Sequence, residues 1–224
     1  MDEFDYLRRL QDDLLGRNEW LCSKINPGRR LKDHREYFQK RFPELFEPKK
    51  QSFLDIGCGP GESLILASSL GHDAMGIETP IGAGGMGDDY VSYGIRNHIL
   101  NGVNVAYGSA TDVIKALPKS RFTCVNMRGS LEQVFSHCME GIPHDKHHRA
   151  DLMTWNFNLS LPELISFGSS LSRCMQTYGK IVIHANGSAN HGDLKRWLQE
   201  KFGYSGIYGR WIEEHVFEGF KDED

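Results

Sequence analysis

Apolar residues recur along this chain with two periods, one typical of helices and one of short buried strands. Apolar runs predict five strands, at 53–56, 73–78, 103–107, 122–128 and 179–187. A helical period predicts helices between them, at 63–70, after Asp88, at 162–178 and at 193–202. Two further helices, 3–25 and 32–42, are predicted before the first strand, separated by a turn at 26–28, and two strands, 204–211 and 215–221, close the chain. The alternation of strands and helices predicts an α/β protein.

Composition agrees with one compact enzyme. The chain has 224 residues, of which 39% are hydrophobic and 25% charged, which suffices for a substantial core. No apolar run approaches the about 18 residues that a transmembrane helix needs, and the start of the chain is acidic, so we expect a cytoplasmic protein without membrane contact. Five scattered cysteines without a C-x-x-C pair indicate reduced thiols.

The most informative segment is the turn after the first strand, where Gly57, Gly59 and Gly61 stand at alternate positions. Glycines there allow a sharp bend and let a ligand approach backbone N–H groups. The spacing differs from the dinucleotide fingerprint G-x-G-x-x-G, and position 62 is a glutamate. No Lys followed by Ser or Thr comes after the glycines, so a phosphate-binding loop is also disfavoured.

Asp55 followed by G-x-G-x-G resembles the first motif of the class I S-adenosylmethionine-dependent methyltransferase superfamily. The resemblance implies a Rossmann-like, seven-stranded, mostly parallel sheet with an antiparallel last strand, preceded by N-terminal helices. The terminal pair of predicted strands is similar to the hairpin that ends this fold. We therefore expect an N-terminal helical cap at 1–48 and a cofactor-binding methyltransferase domain at 49–224.

The resemblance also implies a cofactor site for S-adenosylmethionine. Glu78 ends the second predicted strand, 21 positions beyond Gly57, and a carboxylate there faces the same crevice as the glycine turn. By resemblance Glu78 binds the ribose hydroxyls. The expected cofactor-binding residues are Asp55, Gly57, Cys58, Gly59, Gly61, Glu78, Thr79, Ser109, Ala110 and Asn126.

The end of the third strand departs from the family pattern. Ser109 occupies the place of the aspartate that typically accepts a hydrogen bond from the adenine amino group, and Asp112 follows three residues later. The adenine partner is therefore the Ser109 hydroxyl, the Ala110 backbone or Asp112, and Asp112 is alternatively a helix cap.

Residues at the ends of the fourth and fifth strands restrict the acceptor. The run from Asn126 to Gly129 lacks the Asp/Asn-Pro-Pro-Tyr/Phe motif of amino-directed DNA methyltransferases, and residues 122–130 contain no acid that could bind a metal. Asn126 and His184 stand where ribose methyltransferases carry Asp and Lys, so that subclass is also disfavoured. Where a general base is needed, the candidates are His184, His137 and Glu214.

Two segments raise the question of whether the protein binds a metal or a nucleic acid. Residues 136–151 contain four histidines and Cys138, but the spacing favours an acceptor-side loop over a zinc site, and we expect no metal. Residues 24–50 contain nine Lys or Arg against four Asp or Glu, which is compatible with nucleic acid but more typical of a solvated helical face.

The sequence thus predicts an S-adenosylmethionine-dependent methyltransferase that acts on oxygen or nitrogen of a small molecule. An RNA methyltransferase is one alternative, because of the basic segment. A module that binds S-adenosylmethionine without catalysis is the other, because the third motif is altered.

Overall fold

The computed structural model describes residues 27–78, 94, 98–99, 101–130, 161–185, 198–200 and 202–223. The described helices are α1 (Pro27–Arg41), α2 (Glu62–Ser69), α3 (Ala110–Ala116) and α4 (Leu161–Cys174), with 3-10 turns at Pro43–Phe46 and Gly203–Ser205. The strands are β1 (Ser52–Ile56), β2 (Asp73–Glu78), β3 (Asn104–Tyr107), β4 (Phe122–Arg128), β5 (Met175–His184), β6 (Ile207–Glu213) and β7 (Val216–Lys221).

The seven strands form one sheet in the order β3-β2-β1-β4-β5-β7-β6. Neighbouring strands from β3 to β5 are parallel, whereas β7 runs antiparallel to both β5 and β6. The predicted seven-stranded sheet with an antiparallel last strand is confirmed.

The direction of chain progression across the sheet reverses at β1, which lies between β2 and β4. Open α/β sheets bind ligands at such a switch point, beyond the carboxyl ends of the strands. The register pairs Asp55 with Gly76 on one side and with Asn126 on the other. The glycine turn that follows β1 therefore lies at the switch point.

Alternate side chains of β1 enter two different hydrophobic clusters, as expected for a strand covered on both faces. Leu54 and Ile56 belong to a cluster that includes residues of α3 and α4. Phe53 belongs to the other, with Phe38 and Phe42 of the α1 region and with residues of α2. The helix before the sheet is thus part of the core.

Several predicted boundaries are wrong. The strand predicted at 204–211 follows a 3-10 turn at Gly203–Ser205, begins at Ile207 and ends at Glu213. The predicted turn at 26–28 is helical from Pro27 onward, which agrees with the preference of proline for the first helical turn. The helix predicted at 162–178 ends at Cys174, and β5 begins at Met175, which pairs with Phe122. Met175 and Phe122 are both fully buried, so pairing in the sheet overrides the helical period there.

Several predictions fall outside the described residues: helix 3–25, the helix after Asp88 apart from single helical positions, the His-rich segment 136–151, and most of helix 193–202. No helix in the described part of the chain is both long and apolar enough to cross a membrane.

Candidate functional site

The turn after β1 requires its glycines for conformation and for space. Gly57, Gly59 and Gly61 have φ angles of 73°, 54° and 85°, in the left-handed region that side chains disfavour. A Cβ atom on Gly57 would lie 2.3 Å from the Cβ atom of Ser130, and one on Gly61 would lie 2.7 Å from His98 Cδ2. Neighbouring side chains therefore pack directly against this turn.

Glu78 ends β2 beside the turn. The Gly59 N–H donates a hydrogen bond of 2.5 Å to Glu78 Oε2, and Gly57 N–H donates one of 2.8 Å to the Ile77 carbonyl. The Glu78 side chain is only partly buried. The structure thus brings the predicted carboxylate and the predicted turn together at the open end of the sheet.

Beneath the turn lies a buried polar cluster. Asp55 is 4% exposed and accepts hydrogen bonds from the Ser63 hydroxyl and, over 2.8 Å, from Asn126 Nδ2. Burial raises the pKa of Asp55 to about 6, and the hydrogen bonds from Ser63 and Asn126 oppose that rise. Asn126 itself is 1% exposed. These two residues support the turn from within, and their role as cofactor ligands stays a prediction.

Other predicted cofactor residues lie around the turn. The Cys58 thiol is buried, which raises its pKa well above the usual range, and the Cys58 N–H donates to the Ile77 carbonyl over 3.2 Å. Ser109 and Ala110 follow β3 as the N-cap and first residue of α3, both partly buried. Thr79 lies outside the described residues.

Asp112 is not a helix cap. Ser109 holds the N-cap position of α3, with its hydroxyl 2.7 Å from that of Thr111. Asp112 lies in the first turn of α3, where negative charge is favoured, and pairs with Lys115 at 3.8 Å. The Asp112 side chain is 78% exposed.

The carboxyl ends of β4 and β5 lie at the same edge of the sheet as the glycine turn. Arg128 and His184 are paired in register at these ends. Tyr37 of α1 covers both, because its ring lies 4.5 Å from the Arg128 guanidinium and 6.0 Å from the His184 ring, almost parallel to the latter. Burial, and then the charge of Arg128, lower the pKa of His184, so its imidazole is neutral at physiological pH.

The structure describes two of the three predicted general bases. His184 ends β5, and Glu214 lies in the turn between β6 and β7 with its side chain 81% exposed. His137 lies outside the described residues. The described part of the chain contains no cluster of three His, Cys, Asp or Glu side chains that could hold a metal.

Solved structures share this fold at low sequence identity. A methyltransferase from Pyrococcus furiosus matches with a TM-score of 0.50 at 14% identity, over 84% of this chain and 82% of that one. The PH0226 protein from Pyrococcus horikoshii OT3 matches with a TM-score of 0.51 at 12% identity, over 87% and 90%. A structure described for conversion of a disulfide bond into a thioacetal group during echinomycin biosynthesis matches with a TM-score of 0.51 at 13% identity, over 84% and 80%.

The chain has the Rossmann-like fold of the methyltransferase from Pyrococcus furiosus. The resemblance stated from the Asp55–Gly61 motif is confirmed at this level. No protein-family model and no curated protein sequence matches the chain.

Sequence reasoning missed three residues that the fold brings to the glycine turn, namely His98, Tyr107 and Ser130. His98 contacts the Gly59 carbonyl through Nε2 at 2.9 Å and the Tyr107 hydroxyl through Nδ1 at 2.8 Å. The hydroxyl of Ser130 donates to the Ile56 carbonyl over 2.6 Å. No sequence motif links these residues to the turn. The absence of side chains at Gly57 and Gly61 was the one sign that other side chains pack against it.

Proposed function

We propose that the protein is an S-adenosylmethionine-dependent methyltransferase that methylates oxygen or nitrogen of a small molecule. The observation that carries the proposal is the contact between the Gly59 amide and the Glu78 carboxylate, 2.5 Å apart at the switch point of the sheet. A side-chain-free turn beside a partly exposed carboxylate offers both a surface for close approach and an acceptor for sugar hydroxyls.

The described residues fit an adenosyl ligand. Glu78 can accept hydrogen bonds from the ribose, and Gly59, which has no side chain, lets the amino acid part of the ligand approach the turn closely. Strand β3 pairs Tyr107 with Glu78, so Ser109 and Ala110 lie beyond the sugar, where the adenine would extend. When bound, S-adenosylmethionine would supply a methyl group on a positively charged sulfur, which would take the bonding electron pair as the acceptor attacks the methyl carbon.

The protein's own contribution is to orient the acceptor and to take up its proton. Holding two reactants in line contributes about 7 to 11 kcal/mol in favourable cases. The neutral imidazole of His184, at the crevice end of β5, can accept the proton of a hydroxyl or ammonium acceptor near physiological pH. Glu214 remains a weaker candidate because its side chain is exposed.

Three of the nine basic residues in the segment 24–50 pair with acids of the protein, which reduces the positive charge available for RNA and favours a small acceptor. Lys40 and Arg41 both pair with Glu213, with the Lys40 Nζ atom at 2.6 Å. Lys32 pairs with Glu36 at 3.7 Å.

The test is release of S-adenosylhomocysteine from S-adenosylmethionine in the presence of separate pools of small metabolites and of RNA. We expect release with metabolites, and none with Gly59→Val, whose branched side chain is incompatible with a φ of 54°. Release with RNA alone would support the second candidate function. Binding of S-adenosylmethionine without release in any pool would favour a non-catalytic module.

A further inference from the structure

Arg128 differs from the other arginines that are partly or wholly buried in the described part of the chain. Arg41 pairs with Glu213, Arg121 pairs with Asp73 at 3.6 Å, and Arg173 donates to the carbonyls of Leu117, Ile114 and Lys115. Among the described residues, Arg128 has no carboxylate within ion-pair distance, and its guanidinium lies 4.5 Å from the centre of the Tyr37 ring.

Arg128 lies close to both the glycine turn and the proposed base. Arg128 ends β4 two residues before Ser130, which packs against Gly57 of the turn. The Gly129 N–H donates to the His184 carbonyl over 2.7 Å, so the ends of β4 and β5 are held together. Arg128 is therefore fixed between the glycine turn and the proposed base, on the side where a methyl acceptor would lie.

The surroundings of Arg128 are cationic. Arg41 and Lys40 share one acid, Glu213, and both Arg128 and Arg41 lower the pKa of His184. Arg128 acts on the charge of one described acid, Asp55, which is buried and already accepts hydrogen bonds from Ser63 and Asn126. A neutral acceptor would leave this charge uncompensated.

We propose that Arg128 binds an anionic group, a carboxylate or a phosphate, on the methyl acceptor, and that Tyr37 holds the guanidinium in place. A planar guanidinium binds both groups through paired N–H donors, and an aromatic face fixes its orientation. Tyr37 is itself positioned, because its hydroxyl donates to Asn126 Oδ1 over 3.3 Å. This inference rests on the proposed function, since it names the class of acceptor for the same site.

The first test measures anion binding without turnover. Inorganic phosphate, malonate and the neutral analogue malonamide are added at constant ionic strength, and the unfolding temperature is recorded for wild type, Arg128→Gln and Arg210→Gln. Arg210 is an exposed arginine on β6 and serves as the matched control. We expect phosphate or malonate to stabilise wild type and Arg210→Gln but not Arg128→Gln, and malonamide to stabilise none of them.

The two anions distinguish a phosphate from a carboxylate acceptor. Arg128→Lys, which retains the charge without the paired donors, is expected to bind the preferred anion about tenfold more weakly, the scale of one charge-assisted hydrogen bond. Equal stabilisation of Arg128→Gln and wild type, or no stabilisation by either anion, would overturn the proposal.

The second test separates this inference from the proposed function. S-adenosylhomocysteine release is compared between acidic or phosphorylated metabolites and neutral ones. We expect release with the anionic pool, and a KM for the acceptor at least about tenfold higher in Arg128→Gln with unchanged affinity for S-adenosylmethionine. Release confined to neutral metabolites would overturn the inference while leaving the methyltransferase function in place. Absence of release in every pool would count against the function, and the anion titration would still decide the role of Arg128.

Discussion

His98 holds the glycine turn from the side, with its Nε2 atom 2.9 Å from the Gly59 carbonyl oxygen. Because a carbonyl only accepts, Nε2 carries the proton, and Nδ1 accepts from the Tyr107 hydroxyl at 2.8 Å. Burial lowers the pKa of His98, which agrees with this neutral tautomer. The turn is thus fixed both by Glu78, through the Gly59 N–H, and by His98, through the Gly59 carbonyl.

We expect His98→Ala to weaken binding of S-adenosylmethionine by about tenfold, because the Gly59 carbonyl loses its partner and the turn is no longer pre-organised. Tyr107→Phe keeps the imidazole in place and should weaken binding less. Calorimetric titration of both variants checks the order. Equal affinity of His98→Ala and wild type would show that the turn does not depend on this imidazole.

Gly61→Ala and Gly71→Ala provide a matched pair. Both glycines have left-handed φ angles, 85° and 89°, so both substitutions strain the backbone similarly. Only at Gly61 does the added Cβ atom meet a neighbour, His98 Cδ2 at 2.7 Å, whereas nothing lies within 4 Å at Gly71. We expect both variants to lose some stability but only Gly61→Ala to lose affinity for S-adenosylmethionine. Similar affinities in the two variants would contradict the packing of His98 on the turn.

Asp55 makes the stability of the protein depend on pH. Its pKa is raised from 3.8 to about 6, mainly by burial, so the native state binds the proton more tightly than the unfolded chain. This contribution is present below pH 3.8 and is lost as pH rises through about 6. At about 1.4 kcal/mol per pKa unit, the loss amounts to about 3 kcal/mol.

Asp55→Asn should remove this loss of stability at high pH, because the asparagine side chain has the same shape as that of aspartate and does not ionise. Relative to wild type, we expect the free energy of unfolding of Asp55→Asn to rise by about 3 kcal/mol between pH 4 and pH 8. Urea unfolding at several pH values measures this difference. A constant difference over the whole range would mean that Asp55 titrates normally.

The α1 region belongs to the core, so truncation of its aromatic residues should destabilise the whole protein. Phe38 is fully buried, with its ring centre 5.2 Å from that of Phe53 on β1. We expect Phe38→Ala to lower the free energy of unfolding by about 3 to 5 kcal/mol. Phe220, which is 45% exposed, offers the control Phe220→Ala, for which a much smaller loss is expected. Equal losses would contradict the packing of α1 on the sheet.

The sequence predicted those parts of the fold that depend on local pattern. The Asp55–Gly61 turn, strand β2 with Glu78 at its end, and the terminal hairpin all follow from short runs of residues, and the sheet contains each of them. The end of α4 was predicted wrongly, because pairing of Met175 with Phe122 joins residues 53 positions apart. Helical periodicity alone carries no information about such a partner.

Some site residues could not be predicted for the same reason, which is that their contacts join distant parts of the chain. His98 reaches Gly59 over 39 positions, and Tyr37 reaches Asn126 over 89. Arg128 was visible as part of the fourth strand, but only the folded sheet shows that it lacks an acidic partner among the described residues while facing Tyr37 and His184. Long-range packing, and not local pattern, creates these contacts.

Direct binding of S-adenosylmethionine, measured by calorimetry on wild type, Glu78→Gln and Asp73→Asn, tests the central claim most directly. Glu78 and Asp73 are acids at opposite ends of β2, and only Glu78 lies at the glycine turn. We predict that wild type and Asp73→Asn bind S-adenosylmethionine with equal affinity. Glu78→Gln should bind it at least about tenfold more weakly, because the variant lacks the carboxylate that accepts hydrogen bonds from the ribose hydroxyls. No binding by wild type, or equal binding by all three proteins, would contradict the account.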